Sequence, residues 1–214
     1  NRKIFFAHLR LKINNIAFQQ QIHSDIIKYV DKSGNIGECD AMITDRKNIG
    51  LAISTADCNA IFLYEPNKKI IAAAHSGWRG TSEKILNKLL NTLINDFKAD
   101  VNNLVCYFAP SINQKNYEVG EDVAKYFEEK YLIKLNGVQS SPYNLQTLKQ
   151  NNAKKYLLDL IKLNYDLLIE SGLKKENIQV SNLCSYEEKN LLHSYRRDGL
   201  KSGRAIGVIA MREN

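Results

Sequence analysis

The sequence contains no apolar run as long as the ~18 residues that a membrane-spanning helix requires. Its first residues also lack the basic, apolar and small-residue segments of a secretory signal peptide. These absences predict a soluble, cytoplasmic protein with no membrane partner. With 44% hydrophobic and 25% charged residues among 214, the composition is typical of a globular chain that buries a large core.

Closely spaced cysteine pairs are missing as well. The four cysteines are widely separated and none forms a C-x-x-C pair. We expect free thiols, as is usual for a cytoplasmic protein. The four are Cys39, Cys58, Cys106 and Cys184.

Basic residues are in excess, but they are not concentrated. The 30 lysines and arginines against 23 acidic residues give a formal charge of +7, and no basic run is interleaved with aromatic residues. The pattern therefore predicts a solvated basic surface and no nucleic-acid partner. A positive field of this kind still attracts small anions such as phosphate.

Short apolar strands dominate the pattern, and helical periodicity appears in three places. We find no repeat, no low-complexity tract and no linker, so residues 1–214 are predicted to form one α+β (mixed α/β) unit. Its helices are expected from Thr81 or Ser82 onward, over 119–132 and over 153–172, and polar loops are expected at 31–38 and 140–152. Strands are predicted at 15–22, 41–45, 50–54, 60–64, 69–74, 103–110, 177–183 and 204–211.

The stretch "AAAHSGWRGT" (72–81) carries more chemistry than a strand-to-helix turn needs. Gly77 and Gly80 allow a sharp turn, and a helix opening near Thr81 would present free N–H groups to an anion. Arg79 adds a planar five-donor fork suited to phosphate or carboxylate. Packing is the simpler interpretation of Trp78.

Two further segments carry reactive side chains. In "STADCNA" (54–60), Asp57 and Cys58 interrupt two apolar strands, which suggests a tight loop that directs Cys58 towards a site, although a buried inert cysteine is an alternative. "QQIHSD" (20–25) contributes His23, which alone could be a surface histidine. Together with His75, these side chains supply two imidazoles and one thiolate, a donor set that suits zinc and leaves its fourth position open.

In this order, the motifs "QQIHSD", "TADC", "AAAHSGWRGT", "NYEVGEDV" and "SYRRDG…SGR" resemble the YfiH-like laccase-domain family. The resemblance runs from about residue 20 to the C-terminus. It implies the fold of the cytotoxic necrotizing factor catalytic domain, a four-layer α/β/β/α sandwich with mixed sheets. It also implies that His23, Cys58 and His75 match the metal-binding triad of the family.

The sequence departs from the family pattern in several places. Ala60 stands where a proline is usual, Ala109 where a glycine is common, and "LLHSYRR" replaces "FFSYRR" with Leu192 and His193. The glycine-rich "STR-x-GG" stretch of the N-terminal portion of relatives is not found. We therefore expect a single domain without that extension, with an effect on the pocket if the extension contributes to it.

The family is described both as polyphenol oxidases and as purine nucleoside phosphorylases, and adenosine deamination is also linked to it. Phosphorolysis of adenosine, inosine or methylthioadenosine would need a purine nucleoside and phosphate, with Arg79, Gly80, Thr81, Arg196 and Arg197 as anion donors. Cys58, His75, Arg79 and Asp57 are the candidate catalytic residues.

Other functions stay open at this stage. Four histidines are too few for the usual four-copper oxidation, although a single copper in the triad is possible. A metal-free hydrolase or deamidase would use Cys58 as its nucleophile. A non-enzymatic purine-binding module is a further alternative, and the sequence does not distinguish a monomer from a dimer.

Overall fold

The computed structural model of the protein describes residues 1–135 and 154–212, in which thirteen strands form three sheets. The predicted loop at 140–152 lies outside the described residues. The strands are β1 Ile16–Gln20, β2 Ile27–Tyr29, β3 Gly34–Glu38, β4 Ala41–Thr44, β5 Gly50–Thr55, β6 Asn59–Glu65, β7 Ile70–Ser76, β8 Val105–Phe108, β9 Glu118–Gly120, β10 Leu132–Leu135, β11 Lys155–Leu158, β12 Ile178–Val180 and β13 Ala205–Ala210.

Helices are few and short in the described residues. They are α1 Arg2–His8, α2 Trp78–Ser82, α3 Ile85–Asn95, α4 Glu121–Ala124, α5 Leu160–Glu170 and α6 Tyr195–Asp198, with single 3₁₀ turns at Ile13–Asn15, Gln114–Asn116, Glu129–Tyr131, Lys175–Asn177 and Gly199–Lys201. No helix among the described residues is long and apolar enough to cross a bilayer.

Two of the sheets are mixed and pack face to face. The larger has the strand order β12-β8-β6-β7-β4-β2, and the smaller has the order β13-β5-β1-β3. In the larger sheet β4, β7, β6 and β8 are antiparallel neighbours, whereas β2 and β12 pair in parallel with β4 and β8. In the smaller sheet β1 is parallel to β3 and β5, and β13 is antiparallel to β5.

Helices cover the outer faces of both sheets, which gives the four layers that the resemblance implied. Leu89 of α3 and Leu168 of α5 are buried against Ile61 on the outer face of the six-stranded sheet. Phe6 of α1 is buried on the outer face of the four-stranded sheet, beside Ile16. The apolar layer between the two sheets is formed by Ala17, Val30, Cys39, Met42, Leu51, Ile53, Ala60, Phe62, Ile71 and Ala73.

The strands at 41–45, 50–54, 60–64 and 69–74 are confirmed, because each alternates side chains between two buried faces. The predicted loop at 31–38 is wrong, since 34–38 pairs with β1 as β3. The predicted helix at 153–172 is correct only in its second part. Residues 155–158 pair with β9 and β10, and Asp159 then caps α5 by accepting a hydrogen bond from the Lys162 N–H.

The helix expected after Thr81 is divided into two. The α2 helix begins directly after Gly77, so Thr81 lies inside it and its N–H bonds to the Gly77 carbonyl. Lys84, with a φ of 61°, separates α2 from α3. The helix predicted over 119–132 is reduced to the one-turn α4 and the 3₁₀ turn at Glu129–Tyr131, between β9 and β10.

Because the inner face of α3 is buried, substitution of Leu89 should destabilise the protein far more than substitution of an exposed leucine such as Leu200. Leu89 is 0% exposed and Leu200 is 93% exposed. Replacement of Leu89 by alanine removes apolar contacts and leaves a cavity, so the free energy of unfolding should fall by about 2–5 kcal/mol. Leu200→Ala should change it by less than about 0.5 kcal/mol. Urea denaturation measures both, and equal losses would contradict the packing described.

Candidate metal centre and active site

His23, Cys58 and His75 meet at one end of the space between the two sheets. One ligand atom from each residue lies within 4.8 Å of the others, and among the described residues no other group of three such side chains is found. The two imidazole rings contact each other edge to face, with ring centroids 4.8 Å apart. Residues 52 positions apart in sequence are thereby brought into contact.

The Cys58 loop passes from one sheet to the other. β5 ends at Thr55 in the four-stranded sheet, and β6 begins at Asn59 in the six-stranded sheet. The Thr55 hydroxyl donates to the Cys58 carbonyl at 2.6 Å, and Asp57 has a φ of 104°, a backbone conformation that favours glycine. The tight loop expected around Cys58 is therefore present, and its strained backbone is held by specific contacts.

The His23 loop is fixed from two sides. The Gln21 amide donates to the Ser54 carbonyl at 2.7 Å and accepts from the Ser54 N–H at 2.8 Å, as a paired strand would. His23 itself has a φ of 59°. The Asp40 carboxylate accepts hydrogen bonds from the Ile22 and Ser24 backbone N–H groups on either side.

Asp40 also holds His75, a role that no sequence motif indicates. It is fully buried, and its Oδ1 lies 2.8 Å from His75 Nδ1. One carboxylate thus orients a histidine on β7 and, through its other oxygen, the loop that carries the second histidine. Carboxylates commonly orient metal-bound imidazoles in this way. The available sequence signal was an aspartate directly before the buried strand β4.

These contacts shift two pKa values in opposite directions. Burial alone would raise the pKa of the Cys58 thiol, but hydrogen bonds from His23 and His75 outweigh it and lower that pKa to about 6. Burial alone would lower the pKa of His75, but the Asp40 carboxylate and the Cys58 thiolate raise it to about 9. At neutral pH the cysteine is therefore a thiolate, the form that binds metals and attacks electrophiles.

The cluster fits a metal ion in its chemistry and its space. Zinc takes nitrogen and sulfur ligands in tetrahedral geometry, and the three ligand atoms here lie within 4.8 Å of one another, near enough to converge on one ion. Gly77 keeps the space beside the cluster clear, because a Cβ there would lie 2.9 Å from Cys58 Sγ and 3.0 Å from His23 Nδ1. Three side chains leave a fourth coordination position for water or substrate.

Tyr117 forms a second part of the site. Burial raises the pKa of its phenol, the charges of Cys58 and Asp57 raise it further, and the charges of Arg196 and Arg79 oppose them, so the phenol is neutral at neutral pH. The Arg196 guanidinium is 5.3 Å from the centre of the Tyr117 ring. The motif "NYEVGEDV" is part of the family resemblance, but no role for this tyrosine follows from the sequence alone.

Arg79 and Asp57 differ in what they can offer a ligand. Arg79 is exposed, and its guanidinium stacks 4.4 Å above the ring of Trp78, which is itself half-buried against Tyr126. Both oxygens of Asp57 already accept hydrogen bonds of 2.7 Å, one from the Ser185 hydroxyl and one from the backbone N–H of Arg196. Asp57 thus ties the C-terminal segment to the Cys58 loop, and a role in proton transfer stays a prediction.

Two predicted anion donors have their side-chain hydrogen bonds directed into the protein. All five Arg197 N–H groups bond within the protein, to the Ser185, Tyr186 and Leu192 carbonyls and the Asp198 carboxylate. The Thr81 hydroxyl bonds to Ser76 and Asn164 in the interior, and Gly80 is buried. The geometry therefore argues against a direct phosphate contact from the side chains of Arg197 and Thr81, whereas the anion contacts of Gly80, Arg79 and Arg196 stay predictions.

Comparison with known proteins agrees with this architecture. The profile of the family described as multi-copper polyphenol oxidoreductase laccase matches residues 1–212, and the chain belongs to this family. It is 33% identical over 175 residues to the purine nucleoside phosphorylase YlmD of Bacillus subtilis strain 168, covering 81% of this chain and 59% of that relative. The chain thus spans less than two thirds of that relative's length.

Two more relatives extend the comparison. The chain is 28% identical over 213 residues to the adenosine deaminase RL5 of an unknown prokaryotic organism, covering 94% of this chain and 77% of that one. The crystal structure of the Bacillus licheniformis hypothetical protein YfiH superimposes with a TM-score of 0.86 at 27% identity, covering 99% of this chain and 79% of that chain. The fold is therefore the YfiH fold.

The buried Asp40 predicts a change in metal affinity. Asp40→Asn keeps the size of the side chain but removes the charge that orients His75 and raises its basicity, so zinc affinity should fall about 10–100-fold. Competition with a chromogenic chelator measures the affinity. Asp45→Asn, at the other end of β4 and partly exposed, is the matched control and should leave affinity unchanged. An unaltered affinity in Asp40→Asn would contradict the proposed role of this carboxylate.

The lowered pKa of Cys58 predicts its reactivity. In metal-free protein, the alkylation rate of Cys58 should rise with a midpoint near pH 6 and level off by pH 7, because the thiolate is the reacting form. An unperturbed thiol, with a pKa of about 8.5, would still be gaining reactivity there. Mass spectrometry after iodoacetamide pulses gives the rate, with buried Cys106 as internal control. A midpoint above pH 8 would refute the charge arrangement.

Proposed function

We propose that the chain is a metal-binding purine nucleoside phosphorylase that converts a purine nucleoside and phosphate into free base and sugar 1-phosphate. The observation that carries the proposal is the meeting of His23, Cys58 and His75 within 4.8 Å of one another, with the Tyr117 phenol and the guanidinium groups of Arg79 and Arg196 in electrostatic reach of that site. The similarity to a phosphorylase supports the substrate class. We propose zinc as the ion because the donor set is nitrogen and sulfur, although such sites bind copper more tightly.

In this reaction a phosphate oxygen attacks C1′ of the sugar, the bond from C1′ to the base nitrogen breaks, and the base departs with a proton. Arg79 and Arg196 supply positive charge and N–H donors that hold the phosphate. The neutral Tyr117 phenol can donate one hydrogen bond to an oxygen of either substrate. A metal bound by the triad would act as a Lewis acid at its open position.

Two aspartates, Asp40 and Asp57, hold the functional groups of the site in position. Asp40 orients His75 and the His23 loop, and Asp57 joins the Cys58 loop to the segment that carries Arg196. Preorganised charges of this kind cost no rearrangement when the reaction occurs. Asp57 and Asp40 are therefore positioning residues in the proposal, and Arg79, Arg196 and Tyr117 are the groups that would contact substrate.

Adenosine deamination is the second candidate. The open fourth position of the triad favours it, because metal-bound water is an effective nucleophile for deamination. The similarity to an adenosine deaminase also favours it. It replaces the 6-amino group by oxygen and leaves the glycosidic bond intact. The two reactions therefore give different products from adenosine, namely adenine for phosphorolysis and inosine for deamination.

Two alternatives have weaker support. In the described residues, only two imidazoles join the cluster, whereas His8 bonds to the Ile4 carbonyl and His193 packs against Gly203. Such a site suits one ion, whereas the multi-copper polyphenol oxidation in the family description would need several copper ions. A metal-free hydrolase would use the Cys58 thiolate as its nucleophile, and it is distinguished by activity that survives removal of all metal.

Phosphate dependence tests the proposal. Purified zinc-loaded protein with inosine should release hypoxanthine only when phosphate is present, as followed by chromatography. Arg79→Ala should lower kcat/KM for phosphate by about 10²-fold, since it removes a charged donor to an oxyanion. Arg46→Ala, which changes another exposed arginine in the loop after β4, is the matched control and should be unaffected.

The other outcomes separate the alternatives. Base release that ignores phosphate would mean hydrolysis, and inosine formation from adenosine without base release would mean deamination alone. Nucleoside binding without any product would indicate a binding module. Full activity after chelation of metal, with loss in Cys58→Ser, would identify a cysteine hydrolase.

A further inference from the structure

The short helix α2 has a glycine at its centre, a position where glycine is unfavourable. Gly80 lies between Arg79 and Thr81 in the five-residue helix Trp78–Ser82. Glycine in a helix interior weakens the helix relative to alanine, because it loses more backbone freedom on folding. A positive φ would account for the glycine, but Gly80 is not among the described glycines with positive φ. Backbone conformation therefore does not explain this residue.

The space around Gly80 does explain it. A Cβ at this position would lie 3.0 Å from the Ser24 carbonyl oxygen, which is closer than nine in ten of the Cβ contacts found in proteins. The next nearest atoms, Ile85 Cγ2 and the His75 carbonyl oxygen, would lie at ordinary distances of 3.6 and 3.7 Å. Ser24 directly follows His23, a member of the candidate metal triad. The backbone of the His23 loop therefore packs against α2 at a position that lacks a side chain.

The His23 loop cannot move away from α2 without loss of other contacts. The backbone N–H and the hydroxyl of Ser24 both donate to Asp40 Oδ2, at 2.6 and 2.8 Å. Asp40 is fully buried, so these hydrogen bonds stabilise a charge that would otherwise be costly. Asp25, the next residue of the loop, pairs with Lys88 of α3. The loop is thus fixed to two further parts of the structure.

The helix is fixed as well. The hydroxyl of Thr81 hydrogen-bonds with Ser76 Oγ at 2.8 Å and accepts from the Asn164 amide at 3.2 Å. All three side chains are buried, and Ser76 directly follows His75 at the end of β7. This network anchors α2 to the strand that carries the second histidine. A methyl group added to the glycine of α2 would therefore be pressed between two segments that are both held in place.

We propose that Gly80 is a positioning residue for the metal centre, because the absence of its side chain lets the His23 loop pack on α2 and so places the first imidazole of the triad. The inference rests on the metal-binding part of the proposed function. A Cβ at this residue would displace the loop by a few tenths of an ångström, whereas metal–ligand distances in a competent site vary by only ~0.2 Å. The same helix carries Arg79, so α2 supports both the metal centre and the candidate phosphate donor.

The zinc affinity of Gly80→Ala tests the inference. Purified protein stripped of metal is titrated with zinc against a chromogenic chelator, in the absence of nucleoside and phosphate. The Kd for zinc should rise at least tenfold, because the displaced loop no longer brings His23 to the ion at bonding distance. If the space beside α2 were free, alanine would instead favour the helix, raise the melting temperature and leave the Kd unchanged.

Two variants serve as controls. Gly120→Ala makes the same change directly before α4, where a Cβ would meet only the exposed side chain of Asp122, which can rotate away. Leu89→Ala lowers stability through the core beneath α3 and contacts no residue of the triad. Both should bind zinc as the parent does, so Leu89→Ala separates loss of affinity from loss of stability.

A variant that is too unstable for titration is measured by the rise in melting temperature that zinc produces. A ligand that binds only the folded state stabilises it by an amount that its affinity sets, so this rise should be smaller in Gly80→Ala than in Leu89→Ala at the same zinc concentration. Circular dichroism before heating reports the folded fraction of each variant.

The outcomes separate this inference from the proposed enzyme activity. A tenfold loss of zinc affinity in Gly80→Ala supports it even if the parent releases no base from inosine. A Gly80→Ala variant that binds zinc as tightly as the parent overturns it, whether or not the parent is a phosphorylase. An equal loss in Leu89→Ala also overturns it, because affinity would then follow stability alone. A parent that binds no zinc overturns it together with the proposed metal centre.

Discussion

The contact between the Asp40 carboxylate and His75 is the interaction on which the candidate site depends. It is fully buried, and the same carboxylate receives the backbone of the His23 loop. A buried carboxylate is costly unless it is paired, and here two imidazole-bearing segments provide its partners. Because these partners must be in place to stabilise the buried charge, the two histidines are held in a fixed geometry. It also keeps His75 electron-rich, which favours metal binding.

The position of the site follows from the way in which two mixed sheets are joined. The chain crosses from the four-stranded to the six-stranded sheet at residues 56–58, and that crossing carries Cys58. β7 brings His75 to the same end. Loops between sheets can hold strained backbone because the strands on both sides are rigid, and the positive φ values of His23 and Asp57 occur at this end. The reactive side chains and the strained backbone conformations therefore lie at the same end of the two sheets.

Much of the fold could be predicted from the sequence, and the failures have a common cause. Four consecutive buried strands, the two longest helical patterns and the C-terminal strand were recognisable because their side chains follow a local period. The sequence "YLLDLIKL" satisfies the helical period and so predicts a helix over 155–158, but pairing with β9 and β10 makes this segment a strand. Similarly, the glycines of 34–38 predict a loop, although this segment forms a ladder of hydrogen bonds with β1.

The sequence by itself determined the residue types that meet at the site, because the family motifs name His23, Cys58 and His75, and it determined the basic junction around Arg79. Only the tertiary structure decided which of the polar neighbours are free to act. Arg197 and Thr81 have the right chemistry for an anion, but their hydrogen bonds are directed into the protein. The roles of Asp40 and Tyr117 follow from contacts with residues that are far away in the sequence. Hydrogen-bond direction and burial depend on distant partners, and local sequence carries no record of them.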